Sequence, residues 1–226
     1  LSNTQQFIDH FRPVLEEGSD VIYIGMSSGI SGTYQASSIA AAELMEEFPD
    51  RTVRVVDSLG AGFGPGLLAC RASDLRAEGK SAAEAADILD EEVKHLLEYF
   101  TVDDLNFLKR TGRVSGATAA IGTVLNIKPV LWGDTTGHIT ARSKVRGRKK
   151  ALEALAELYR THIPDEGDVD MVFISHGDCI EDAQYVAGLI EKEHGVKVEL
   201  ITDIGPVIGA HSGPGTFALF FIGKER

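Results

Sequence analysis

Two short apolar runs bracketing one strong helix constrain this chain more than any other feature. Residues 20–26 (DVIYIGM) and 52–57 (TVRVVD) are rich in β-branched residues and too short for amphipathic helices. Each reads as a strand buried on both faces. Residues 33–48 between them read as a helix. Strand, helix and strand in that order make a βαβ unit, whose strands lie parallel and whose crossover is right-handed. Ahead of the unit, Ser2 is expected to cap a helix with Phe7, Phe11, Val14 and Leu15 on one face, ending at Gly18. Behind it comes a glycine-rich stretch at 58–66, and helices are expected over 64–79 and 82–98.

The rhythm changes near residue 95. A strand is expected over 99–102, and Asp103 and Asp104 can cap a helix running to Lys109. Strands over 127–132 and 138–144 flank Gly133-Asp134-Thr135-Thr136-Gly137, a hairpin signal. Then follow a helix over 147–161, a strand over 169–175, a helix over 180–194, and strands over 197–203 and 216–222. The expected fold is α/β with two domains. A parallel, Rossmann-like N-terminal domain covers 1–95, and an α+β C-terminal domain covers 96–226.

A formal charge of −12 over 226 residues argues against a general nucleic-acid binder, which needs a net cationic surface to displace counterions. No run of 18 apolar residues exists, so no transmembrane segment is expected. The start, Leu1-Ser2-Asn3-Thr4, has neither the basic nor the apolar region of a signal peptide. It also has no initiator Met, so the expectation is a processed chain or one cut from something longer. Cys70 and Cys179 are the only cysteines, without metal-ligand spacing, and a reducing cytoplasm is the expected compartment.

Three segments could carry chemistry. Ser27-Ser28-Gly29-Ile30-Ser31-Gly32 follows a parallel strand and opens a helix, where free backbone N–H groups and the helix dipole favour an anion. Ser27, Ser28, Ser31 and Thr33 add hydroxyls, and Gly29 and Gly32 let a ligand approach the backbone. A plain helix cap explains the same residues, and both readings stay open. The P-loop lysine is missing, and so is the residue that a nucleophile elbow places between its serine and second glycine. The second segment, 204–215, puts His211 among four glycines and two prolines, which reads as a rigid irregular loop able to aim a ring at a ligand. His176 reads as structural. The third is basic: Arg142, Lys144, Arg146, Arg148, Lys149 and Lys150 fall within nine residues. If that strand is regular, Arg142, Lys144 and Arg146 share a face, and Arg113 can join them. The cluster is either a solvated surface or a docking patch for an acidic or phosphate-bearing partner.

Taken together, these segments resemble the motifs of the DegV family. Ser27 to Gln35 (SSGISGTYQ) is similar to its S-S-x-[LI]-S-G-T-Y-Q, and Asp57-Ser58 to the motif that follows. Residues 105–115 (LNFLKRTGRVS) resemble L-x-x-L-x-x-G-G-R-[IV]-S, and residues 125–129 resemble L-N-I-K-P. Lys144-Val145-Arg146-Gly147 resembles K-x-R-G, and His211-Ser212-Gly213-Pro214-Gly215 resembles H-T-G-P-G. Six matches occur in the family's order, with Thr111 standing for a glycine and Ser212 for a threonine. The family's D-S-T and T-S-Q-P-like segments would precede Leu1, so the N-terminal domain is expected to be partly missing, together with one anchoring hydroxyl.

The resemblance implies a non-catalytic carrier that buries a long-chain fatty acid in a tunnel between the domains. Ser31 and His211 would hold the carboxylate, with Ser28 and Gly32 beside it. The family presents that carboxylate to a fatty acid kinase, which makes an acyl phosphate for phospholipid synthesis. Arg113, Arg146 and Lys144 would face the kinase. No cofactor, metal or catalytic residue is implied. The alternative is a hydrolase or small-molecule phosphotransferase built on the Ser31 and His211 segments, although the chain carries neither a nucleophile elbow nor a nucleotide fingerprint.

Overall fold

The computed structural model of the chain describes residues 2–115, 118, 126–164, 171–224 and 226. Leu125 of the L-N-I-K-P match and the first two positions of the strand expected over 169–175 lie outside them.

Helix α1 (Thr4–Glu16) is capped by Asn3 rather than Ser2. The Asn3 side chain accepts from the Gln6 N–H while the Gln6 side chain reaches back to the Asn3 N–H, which satisfies two otherwise orphaned donors. Phe7, Ile8, Phe11 and Leu15 are its buried face, and Val14 is exposed. The face packs on Tyr23 and on helix α2 (Thr33–Glu47). Strands β1 (Val21–Gly25) and β2 (Val53–Asp57) flank α2 and pair parallel, Val21 with Val53 through Gly25 with Asp57. This is the βαβ unit expected from the apolar runs.

Two helices follow, α3 (Gly64–Ala77) and α4 (Ala82–Glu92), the second opened by a Ser81–Glu84 capping box. The helix expected to reach residue 98 stops earlier. A short 3-10 turn, Val93–His95, leads directly into β3 (Leu96–Thr101). Pairing overrides local helix preference here: β3 pairs with neighbours on both sides, and Leu96, Leu97 and Tyr99 are buried. The short α5 (Asn106–Arg110) comes next, with the Asp104 carboxylate accepting from the Asn106 N–H.

The remaining elements are the hairpin β4 (Ile127–Gly133) and β5 (Ile139–Arg146), α6 (Arg148–His162), β6 (Val172–His176), α7 (Ile180–His194), β7 (Leu200–Asp203), α8 (Pro206–Ser212) and β8 (Phe217–Ile222). They complete a six-stranded mixed sheet in the order β5-β4-β3-β8-β6-β7. β6 and β7 are parallel across α7, and the other pairings are antiparallel. The second motif segment is therefore not wholly irregular. Pro206 sits in the first turn of α8, where its missing N–H costs nothing, and Gly213 with φ 81° ends the helix.

β8 lies inside the sheet and is apolar throughout because both its faces are covered. Phe217, Leu219 and Phe221 join the core beneath α6 and α7. Ala218 and Phe220 face the other way, into a core that also contains Val56 of β2, Leu67 and Leu68 of α3, and Phe173 of β6. That second core ties the two sheets together.

Candidate functional site

On this second face lies a cavity of about 240 Å³ with largely apolar walls. Its floor is the six-stranded sheet. Antiparallel partners project to one side, so Phe100 and Ala218, Glu98 and Phe220, and Ser175 opposite Ala218 share that floor. The walls come from the segments after β1 and β2, from α8, and from the end of α5.

Ser31 and His211, 180 positions apart in sequence, both line this cavity. Ser31 is half-buried. Its N–H donates to the Ser27 carbonyl, its hydroxyl lies 2.8 Å from that of Thr33, and it accepts from the Thr33 N–H. The Ser27 hydroxyl is buried and donates to the Gly137 carbonyl at 2.7 Å, which anchors the loop on the β4–β5 turn. Ser28 and Gly32 are exposed and border a neighbouring open cleft instead, which Ser31 and Arg113 also line. His211 occupies the last turn of α8, and its Nδ1 is buried with no hydrogen-bond partner among the described residues.

Sequence reasoning missed two polar groups on the floor. Ser175 Oγ is buried, faces the cavity and has no hydrogen-bond partner among the described residues. Glu98 is buried, and both its oxygens accept from the Ala61 N–H at 2.9 Å. Burial pushes its carboxyl up to about 7, against the opposing pull of Arg226 and of that N–H. The glycine-rich stretch makes room for it: a Cβ on Gly60 or Gly64 would lie 2.2 or 1.8 Å from Glu98 Oε1. The available signals were a lone Glu in an apolar strand and a glycine run with no turn to explain it.

Arg113 is half-buried, donates to the Thr111 carbonyl, and lines both the cavity and the cleft. The basic cluster divides. A bulge opposite Val130 and Leu131 makes Arg142 the unpaired residue of β5 and sets its guanidinium over the Trp132 and Tyr99 rings. Arg142 thus leaves the face expected for it. Arg148 is bound to Asp182 and Asp103. Lys144 and Arg146 are exposed and form no ion pair among the described residues. They flank Val145, which packs on the α6–α7 core, so alternation turns them to the opposite face. His176 is buried and accepts from the Cys179 N–H, in line with a structural role.

Among the described residues no helix is long and apolar enough to cross a membrane, and no three His, Cys, Asp or Glu side chains converge as a metal site.

Known proteins give the architecture a context. A family model described as an uncharacterised protein of the DegV family matches residues 1–224. A DegV domain-containing protein of Clostridium perfringens is 41% identical over 224 residues, covering 99% of this chain and 77% of that protein. A Thermus thermophilus structure described by its fatty acid binding is 33% identical, with TM-score 0.83 over 98% of this chain and 77% of its own. A fatty acid binding protein of Streptococcus agalactiae is 30% identical, with TM-score 0.85 over 99% of this chain and 77% of its own. With its sequence matched almost end to end and its fold shared with these structures, the chain belongs to the DegV family.

Proposed function

We propose that the chain binds a long-chain fatty acid in the cavity beneath α8, with its carboxylate held by Ser31 and His211. One observation carries the reading. Two motif residues from distant segments line a single cavity whose walls are otherwise mostly apolar. Solved relatives above 25% identity described as fatty acid binding support it. Burying about 15 methylenes is worth on the order of 12 kcal/mol gross, at roughly 0.8 per CH₂. Association and ordering remove about 4 kcal/mol or more of that. The hydrocarbon thus supplies affinity, while the hydroxyl and imidazole orient the head group.

The chain acts as a carrier rather than a catalyst in this reading. A Ser/His nucleophile needs its hydroxyl on the imidazole and an orienting group behind the ring. Here the Ser31 hydroxyl bonds Thr33, and His211 Nδ1 bonds no carboxylate among the described residues. The bound carboxylate is presented to a fatty acid kinase that docks on Lys144 and Arg146, with Arg113 at the junction of cavity and cleft. Native mass spectrometry of protein purified from bacteria tests the binding reading directly. The expected result is an adduct with the mass of a C14–C18 fatty acid, and a bare chain that also refuses added fatty acid would overturn it.

A further inference from the structure

The buried carboxyl of Glu98 is out of place in a cavity built only for hydrocarbon. A wall facing methylenes is cheapest when apolar, and a buried carboxyl there loses its hydration. A carboxylate has about four acceptor positions, and one N–H, that of Ala61, is the hydrogen-bond donor it receives among the described residues. Arg226 forms no hydrogen bond to Glu98 among the described residues: its Nε and Nη1 donate to the Leu96, Leu59 and Asp134 carbonyls, and its buried Nη2 has no partner there.

The two oxygens differ in their surroundings. Oε1 is walled in by Gly60 and Gly64, whereas Oε2 is less crowded: an added Cβ would lie 3.2 Å from it on Gly60 and, on the far side, 3.7 Å from it on Gly133. Glu98 also stands apart from Ser175, the floor group with no hydrogen-bond partner among the described residues. Ser175 lies one strand beyond β8 and Glu98 one strand before it, in neighbouring rows, so the two are about 12 Å apart at ordinary strand spacings. Ser175 is near the loop after α8, since Gly177 exchanges hydrogen bonds with Gly215 and Thr216. Glu98 lies under the glycine stretch, with Phe100, Ala218 and Phe220 between.

We propose that Glu98 makes this cavity select a hydroxylated fatty acid, whose chain hydroxyl donates to Oε2 well away from the head group. The inference rests on the fatty-acid reading and specifies its ligand. A plain acyl chain passing the same point would leave Oε2 with only its share of the Ala61 N–H in a dry site, a mismatch that discriminates against it.

The test is competition for the delipidated full chain between stearic acid and hydroxystearic acids. The hydroxyl is moved from mid-chain towards the tail, and bound ligand is read by native mass spectrometry. At one or two hydroxyl positions the preference should reach about tenfold or more. The matching methyl ether, which cannot donate, should lose it at about pH 8.5, where Glu98 is ionised and has no proton of its own to give. Glu98→Leu should bind stearic acid and show no preference. The methyl-ether comparison uses the unaltered protein, so it decides the matter even if that variant does not fold. Equal binding of plain and hydroxylated acids at every position overturns the role of Glu98 and leaves the fatty-acid reading standing. Failure of every acid to bind overturns the reading beneath it.

Discussion

The Ser31 hydroxyl is shared between Thr33 and the cavity, so removing it does not unmake the loop, which Ser27 anchors separately. Ser31→Ala should therefore weaken fatty-acid binding by about 1–2 kcal/mol, the worth of one hydrogen bond to a charged group, with little loss of stability. Titration with a fluorescent fatty acid measures this, and unchanged affinity would take Ser31 out of the head-group site. Glu98 behaves in the opposite way, through stability and pH. Its carboxyl is raised from 4.5 to about 7 in the fold, so between those values the folded state holds a proton that the unfolded chain has released. That contribution is complete below the unfolded value and is lost as pH rises through the folded one. At the full shift it amounts to a few kcal/mol, on the order of 3. Glu98→Gln keeps an acceptor for the Ala61 N–H but cannot ionise. Urea denaturation should show the variant gaining on the parent protein between about pH 5 and about pH 8. A stability difference that stays constant across that range would show that Glu98 is not held as described.

β5 shows how one element separates charges that sit together in sequence. The bulge puts Arg142 over Trp132 and Tyr99, while Lys144 and Arg146 remain solvated on the other face. Docking through such groups depends on long-range attraction and is screened by salt, whereas burial of an acyl chain is not. Arg146→Ala should slow acyl-phosphate formation by a cognate kinase, more so at low salt, and leave bound fatty acid unchanged. Equal loss of both, or of neither, would count against docking there. The bulge itself was not legible, because an extra residue in a strand leaves the alternating pattern intact on either side. α8 was hidden for a different reason. Its seven residues include a Pro and a Gly that locally argue for a loop, and only packing of α8 against α5 makes the helix worthwhile. β1, α2, β2 and α7 were legible to within about a residue or two, since apolar period and caps agreed with the final packing. The site was half legible. Ser31 and His211 stand in recognisable motifs, but the floor groups Ser175 and Glu98 are set by strand register, which a single strand's sequence does not carry.

At the scale of the molecule, the two sheets are joined by one core in which Val56 and Leu67 meet Phe173, Ala218 and Phe220, with Phe63 edge-on to Phe173 at 5.3 Å. The cavity opens beside that core and shares Ala218 and Phe220 with it. Hydrocarbon in the cavity would therefore extend the apolar contact between the layers, and binding would be coupled to their association. A ligand that binds only the folded chain stabilises it by about 2.7 kcal/mol when its free concentration is a hundredfold above Kd. For a chain of this size each kcal/mol moves the melting temperature by about 2–4 °C, so saturation should raise it by about 5–10 °C. Delipidated protein should melt lower by that margin in calorimetry and recover when fatty acid is restored. The shift should grow with acyl length while the chain still fits, because each added methylene buries more surface at the same head-group site. It should also survive high salt, which sets it apart from docking on β5. A melting temperature indifferent to delipidation would mean that the cavity is not where the acyl chain resides.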